Sequence, residues 1–204
     1  MKIILENIAK KYHGTCLFKD INFTFEKGKI YAITGKNGSG KTTLLHIIAG
    51  YLTPTQGKVY INYHSEIILG TSDTYHQHLS WAAHYIELVE QYSIYESIKF
   101  HHIFDPLTTD NELNKIIKRG NFQDMENTLV SHLSSGMKQR LKLLLAFASA
   151  RPILLLDEPT TNLDEENISW YLDQINMQNE KIVIISSNLP HEYQMSSDFL
   201  HIGT

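Results

Sequence analysis

The spacing of apolar residues alternates along this chain between a period of two and a period near 3.6. Residues 3–8 predict a first strand, and Ile21-Asn22-Phe23-Thr24-Phe25-Glu26 alternates apolar with polar, as a half-buried strand does. Lys10-Lys11-Tyr12-His13-Gly14 reads as a turn between the two. Lys27-Gly28-Lys29 is a second turn, leaving an antiparallel, hairpin-like piece ahead of the apolar run Ile30-Tyr31-Ala32-Ile33. A helix is predicted over residues 43–49, ending near Gly50. Thr53-Pro54-Thr55-Gln56-Gly57 then turns the chain into a strand over residues 58–62. Residues 63–78 are polar and fit neither period. Leu79-Ser80-Trp81-Ala82-Ala83 reads as a buried strand ending at His84.

The second half starts with helices. Ser93 and Glu96 have the spacing of a capping box, opening a helix that runs to about Phe104 and is broken by Asp105-Pro106. Thr109 and Glu112 repeat the spacing. Leu113, Ile116 and Ile117 give the next helix one apolar face, and Gly120-Asn121 stops it. A longer helix opens at Leu133-Ser134-Ser135-Gly136-Met137. Its apolar face is Met137, Leu141, Leu144, Leu145 and Ala148, with Lys138, Arg140 and Lys142 mostly off it. Pro152-Ile153-Leu154-Leu155-Leu156 is continuously apolar, the pattern of a central parallel strand covered on both faces. The organisation is one domain over residues 1–204. Residues 1–84 and 134–204 form its core, and about residues 85–133 form a helical insert.

Composition narrows the class without naming a chemistry. With 42% hydrophobic and 20% charged residues in 204, the chain reads as a soluble globular domain. No apolar run approaches the roughly 20 residues that cross a bilayer. Glu6 and Asn7 interrupt any signal-peptide core. One cysteine, Cys16, excludes an internal disulfide and fits a reducing compartment. A net charge of −4 without a long basic run speaks against a nucleic-acid partner. Eleven histidines raise a metal hypothesis, but they are scattered. His101 and His102 point apart on any regular element. His76 and His78 would share a strand face with no third ligand near.

Chemistry concentrates first in Gly35-Lys36-Asn37-Gly38-Ser39-Gly40-Lys41-Thr42, between a predicted strand and a predicted helix. Its glycines let backbone N–H groups converge on a phosphate chain, and the positive end of the helix faces the same point. Lys41 can reach the terminal phosphates, and the Thr42 hydroxyl can take a place on Mg²⁺. A plain Gly-rich turn is the bland alternative. The apolar run at 152–156 ends in Asp157-Glu158-Pro159. A carboxylate at such a strand end is placed to hold Mg²⁺, and the one beside it to accept a proton from attacking water. Pro159 biases Glu158 toward an extended backbone. An acidic turn after a core strand is the alternative there. The helix start at Ser134–Gly136 is a second natural anion site, or an ordinary Ser-capped amphipathic helix. Two phosphate-type sites on one short chain would serve one nucleotide if two copies paired face to face. Tyr12 either stacks on a flat base or is a strand-end tyrosine.

In these residues the sequence resembles an ATP-binding-cassette (ABC) ATPase domain. Gly35 to Thr42 resembles its Walker A loop, and Leu133 to Met137 its signature. Residues 153–158 resemble Walker B with the following glutamate, and Asn162-Leu163-Asp164 the D-loop. Ser135 and Asp157 stand 157 − 135 = 22 positions apart, a separation usual for the family. The resemblance implies an α/β fold: a P-loop NTPase core with mixed sheet, an antiparallel β subdomain and an inserted helical subdomain. It implies two cassettes, as homodimer or heterodimer, clamping ATP and Mg²⁺ head to tail. Each ATP would meet Gly35, Asn37, Gly38, Ser39, Gly40, Lys41, Thr42 and Thr43 of one copy, with Tyr12 on the adenine. Ser134, Ser135, Gly136 and Met137 of the other copy would cap it. Thr42, His84 and Asp157 would hold Mg²⁺. Glu158 would polarise the water, and Asp164 would communicate across the dimer.

Three positions depart from the pattern. Ser135 and Met137 stand where the signature more often has glycine and glutamine. His84 stands where the loop linking the lobes usually has glutamine. Asn188, in Ile184-Ile185-Ser186-Ser187-Asn188, takes the place of the switch histidine. Asparagine donates a hydrogen bond but never becomes a cation, which implies slow turnover or a more typical partner domain. The expected function is an ATPase subunit powering separate transmembrane subunits, cytoplasmic and peripheral on the inner face of the cell membrane. The compact layout, ending soon after Ile202 with no room for a C-terminal regulatory domain, is similar to ATPase subunits of export systems, including the haem-exporter type. The alternative is a non-transport ABC ATPase on a soluble or nucleic-acid-associated complex. A P-loop kinase or GTPase would have no use for the signature helix.

Overall fold

The computed structural model describes residues 1–105 and 113–203. Its strands form two sheets, and the mixed character comes from their difference. The first sheet, in the order β2-β1-β4-β5, is antiparallel throughout: β1 (Lys2–Tyr12), β2 (Thr15–Glu26), β4 (Gln56–Tyr63) and β5 (Glu66–Leu69). The second, in the order β6-β7-β8-β3-β9, is parallel at every pairing. It comprises β3 (Ile30–Thr34), β6 (Leu79–Ala83), β7 (Ile153–Asp157), β8 (Ile182–Ser186) and β9 (Asp198–His201). The helices are α1 (Lys41–Ile48), α2 (Ile94–Phe104), α3 (Leu113–Arg119), α4 (Ser135–Ala148) and α5 (Glu165–Asn176).

Strand alternation sorts the parallel sheet into two cores. Ile153, Leu155, Ile182, Ile184, Tyr31 and Ile33 face one side, packing with Leu44, Leu45, Ile47 and Ile48 of α1 and with Ile3, Leu5, Val59 and Ile61 of the antiparallel sheet. Leu154, Leu156, Val183 and Ile185 face the other side, against Ile98 of α2, Ile116 of α3, Leu141 and Leu144 of α4 and Tyr171 of α5. Every residue of β7 and β8 is buried, which is why residues 152–156 read as an unbroken apolar run. The capping box at Ser93 and Glu96 forms as its spacing requires. Ser93 Oγ accepts from the Glu96 N–H at 3.1 Å, and Glu96 Oε2 accepts from the Ser93 N–H at 2.8 Å. The second capping spacing, Thr109 with Glu112, lies outside the described residues.

Several local expectations give way to long-range pairing. The turn expected over residues 10–14 shrinks to His13-Gly14, because β1 continues through Tyr12 and pairs with Thr15. His76 and His78 lie in a 3-10 turn, Tyr75–His78, and share no strand face. The stretch without a clear period holds β5, an edge strand whose Ile67 and Leu69 stay exposed. Arg140 is buried, with its guanidinium 4.8 Å from the Trp170 ring of α5, instead of lying off the packed face of α4. Glu158 is not extended: its φ is 46°, in the left-handed region. Its N–H is held by the Ser186 carbonyl at 2.9 Å, and its carbonyl closes a turn with the Thr161 N–H at 3.3 Å. The tertiary bond to Ser186 and the local turn to Thr161 together override the bias that Pro159 imposes.

Candidate functional site

Register brings the candidate residues together. Ala83 pairs with Asp157, Asp157 with Ser186, and Ser186 with Ile33, so β6, β7, β8 and β3 end level. The segments leaving those ends are His84-Tyr85, Glu158, Ser187-Asn188 and the loop from Gly35 to Gly40. The C-terminal edge of a parallel sheet is where such folds bind ligands.

The loop enters α1 through Gly40, at φ 100°. A Cβ on Gly40 would lie 2.6 Å from the Leu17 side chain of β2, so no larger residue fits there. Lys41 follows and is buried at 7% exposure. Its ammonium donates to the carbonyls of Gly35 at 3.0 Å and Lys36 at 3.3 Å. Burial pushes its pKa below the ordinary lysine value, and the charges of Glu158 and Asp157 oppose that shift. A buried cation coordinated by loop carbonyls leaves this edge ready for an anion. Ser39, Thr42 and Thr43 are half-buried beside it, while Asn37 and Gly38 are exposed at the tip.

Asp157 is fully buried. Its Oδ2 accepts from the Tyr85 hydroxyl at 3.2 Å, and its Oδ1 is buried without a hydrogen-bond partner among the described residues. A desolvated carboxylate oxygen with no donor is costly alone and fits a divalent cation. Glu158 beside it keeps 41% of its side chain exposed, with Oε2 lying 3.8 Å from Nδ1 of His84. Asn188 reaches the loop tip, its side-chain amide donating to the side-chain carbonyl of Asn37. Tyr12, 46% exposed, sits at the end of β1 with the Lys10 ammonium 5.1 Å from its ring. Its pairing with Thr15 puts it near the start of β2, which also carries the Leu17 that abuts Gly40.

The remaining candidates form a separate group. Ser134 caps α4, its Oγ accepting from the Met137 N–H at 3.2 Å, and Ser135 is exposed. A Cβ on Gly136 would stand 2.8 Å from the Asn162 carbonyl, so the helix start and the Asn162 turn touch by backbone. Asp164 caps α5: its Oδ1 accepts from the Asn167 N–H at 2.9 Å and the Asn167 amide at 2.8 Å, which holds its carboxyl below the usual carboxylate range. Arg140 donates to Asn167 Oδ1 at 2.5 Å, and Gln139 to the Pro159 carbonyl at 2.8 Å. Thus α4 is tied to the segment after Glu158, and among the described residues no side-chain hydrogen bond joins Ser134–Met137 to the loop around Lys41.

Residues without a motif complete the arrangement. Tyr85 is one. Lys142, whose ammonium donates to the His84 carbonyl at 2.6 Å, is another. Glu192, 1% exposed, accepts from the Thr160 N–H at 2.7 Å and so fixes the segment after Glu158 to the 3-10 turn beyond Asn188. Only the Ser-capped start of the helix at Ser134 was legible among these ties; the others rest on contacts distant in sequence.

Comparison with known proteins agrees with this geometry. The family model described as ABC transporter matches residues 18–161. An uncharacterized ABC transporter ATP-binding protein, YybJ of Bacillus subtilis (strain 168), is 33% identical over 187 residues, spanning 89% of this chain and 83% of that protein. The cytochrome c biogenesis ATP-binding export protein CcmA of Mannheimia succiniciproducens is 29% identical over 187 residues, spanning 90% of this chain and 86% of its own. Among solved structures, the dimeric MJ0796, a bacterial ABC transporter cassette, superposes with a TM-score of 0.82 at 24% identity, over 98% of this chain and 94% of its own. With a sheet edge that gathers Lys41, Asp157 and Glu158 and a family model covering most of its length, the chain belongs to the ABC transporter family, as its ATP-binding subunit.

Proposed function

We propose that this chain hydrolyses ATP to power a membrane transporter, working as one of two cassettes, identical or different, that close on ATP. The observation that carries this reading is the division of the two anion-type sites. Lys41, Asp157 and Glu158 share one sheet edge, while the helix start at Ser134–Gly136 lies against the Asn162 backbone, and Arg140 further along α4 donates to Asn167. A second cassette supplies the helix start that each loop lacks, with Ser134, Ser135, Gly136 and Met137 facing the phosphates. Asp164, rigid as the cap of α5, lies beside that contact.

Within one site the roles follow from the geometry. Backbone N–H groups from Gly35 to Thr43 and the Lys41 ammonium bind the phosphates, and Tyr12 stacks on the base. Thr42, Asp157 and His84 would hold Mg²⁺, which when bound neutralises charge on the phosphate oxygens. Glu158 takes a proton from water as the water oxygen bonds to the γ-phosphorus and the bond to the departing ADP oxygen breaks. Asn188 donates a hydrogen bond without charge, so turnover at an isolated site is slow. Residues 1–84 and 134–204 act as the nucleotide-binding core and about 85–133 as the helical subdomain that meets the membrane subunits. No helix among the described residues is long and apolar enough to cross a membrane. In this reading the cassette works peripherally on the inner face of the cell membrane, against separate transmembrane subunits.

The test uses the Glu158→Gln variant with saturating ATP, followed by light scattering on a sizing column. The expected result is a nucleotide-dependent dimer that disappears when Lys41→Ala is added. A strictly monomeric Glu158→Gln chain, both alone and with a membrane protein that co-purifies with it, would overturn the paired reading.

A further inference from the structure

Tyr85 belongs to no motif, yet its hydroxyl stands between two elements of the site. It donates to Asp157 Oδ2 at 3.2 Å and lies 2.9 Å from Nε2 of His46 on α1, the helix that begins with Lys41. With the Nε2–H tautomer of His46, the chain of donors runs from His46 to Tyr85 to Asp157 without a break. The ring is braced edge-on by His46 at 6.0 Å, His84 at 5.0 Å and Trp81 at 6.5 Å. A tyrosine hydroxyl carries its proton at neutral pH, so it is available as the donor in this bond. The bond occupies one oxygen of Asp157 and leaves Oδ1 as the buried oxygen without a partner.

We infer that Tyr85 is a positioning residue for the metal carboxylate: it fixes Asp157 in the rotamer that presents Oδ1, and His46 holds the tyrosine from the α1 side. This rests on the reading of Asp157 as a Mg²⁺ carboxylate. A hydrogen bond behind a metal-binding carboxylate fixes its orientation, and removing such a partner costs about 10- to 100-fold in metal affinity. Tyr85 also places the last turn of α1 and the end of β7 under one constraint, since its partners His46 and Asp157 lie there.

The test separates metal from nucleotide. Mn²⁺ affinity is read by electron paramagnetic resonance at saturating ATP, and ATP affinity is read in EDTA, for wild type, Tyr85→Phe, His46→Ala and Asp157→Asn. Tyr85→Phe keeps the ring against Trp81 and His84 and removes only the hydroxyl; a thermal melt checks its fold. The expected result is a 10- to 100-fold weaker Mn²⁺ affinity in Tyr85→Phe with ATP affinity in EDTA unchanged, and a smaller loss in His46→Ala. Unchanged Mn²⁺ affinity in Tyr85→Phe while Asp157→Asn loses it overturns the inference alone. Tighter Mn²⁺ binding in Tyr85→Phe also overturns it, because the hydroxyl would then compete with the ion for the carboxylate. Unchanged affinity in Asp157→Asn would instead remove the metal reading on which the inference stands.

Discussion

Replacing Glu158 by glycine should stabilise the nucleotide-free chain while removing the proposed proton acceptor. Glu158 sits at φ 46°, directly before Pro159, and is held there by the Ser186 carbonyl. An L-residue in the left-handed region costs about 1–2 kcal/mol, and glycine escapes that cost. Glycine in turn loses about 0.5–1 kcal/mol through the extra freedom of the unfolded chain. At the midpoints the net gain is about 0.7 kcal/mol. For a domain of this size, about 2–4 °C per kcal/mol converts that to roughly 1.5–3 °C in melting temperature.

The reference variant is Glu158→Gln, not the wild type. Glutamine removes the carboxylate, its repulsion with Asp157 and its contact with His84 at 3.8 Å, yet it keeps a Cβ on the same strained backbone. The difference between the two variants therefore isolates the backbone. Both are melted by calorimetry in EDTA, without nucleotide, and both are assayed for phosphate release. Glycine should melt higher than glutamine, with turnover lost in each. If the glycine variant melts at or below the glutamine variant, the strain is absent and the site is not held in a costly conformation. Strain concentrated at the residue proposed to meet the reacting water is the pattern expected where geometry has been favoured over stability.

The other expectations are briefer. Asn188→His restores a group able to make a charge-assisted hydrogen bond; at about 1–3 kcal/mol it should raise single-site hydrolysis roughly ten- to a hundredfold, and an unchanged rate would count against the role given to this position. Gly136→Ala puts a Cβ 2.8 Å from the Asn162 carbonyl, so the turn must move. Fluorescent-nucleotide binding by the monomer should stay intact while the ATP-dependent dimer of Glu158→Gln is lost; a retained dimer would show that this contact does not shape the pairing surface. Burial pushes the Lys181 ammonium down from 10.5 to about 8, its proton donated to the Ser149 carbonyl at 2.6 Å. Its folded pKa lies below its unfolded one, so between about 8 and 10.5 the unfolded chain binds the extra proton and stability rises with pH. Unfolding free energies from urea titrations across that window should climb in the wild type by on the order of 3 kcal/mol more than in Lys181→Met, and parallel slopes would refute it.

What could be read from the sequence divides along the range of the forces involved. The phosphate loop, the capping box at Ser93 and Glu96, and the strands ending at Ala83 and Asp157 were legible because each depends on its own residues: glycine conformations, a hydroxyl three residues from a carboxylate, or an apolar run too dense for a surface. The fold class followed from the family resemblance that these motifs carry. The failures share the opposite property. Arg140 looks solvent-facing on a helical wheel of α4, but Trp170 arrives from α5 to cover it. Pro159 should extend Glu158, but β8 offers the Ser186 carbonyl to its N–H, a bond that exists only once β7 and β8 are paired. Tyr85 follows a strand end with no spacing signal at all, and its partners lie 39 residues away at His46 and 72 away at Asp157. The motif residues are thus set by local chemistry, while the groups that orient them are supplied by the level C-terminal edge of the parallel sheet. A chain carrying the same motifs on an altered register would keep its phosphate loop and lose the left-handed Glu158 and the tyrosine behind Asp157. That is why the motifs alone identify the family but leave the tuning of the site to the fold.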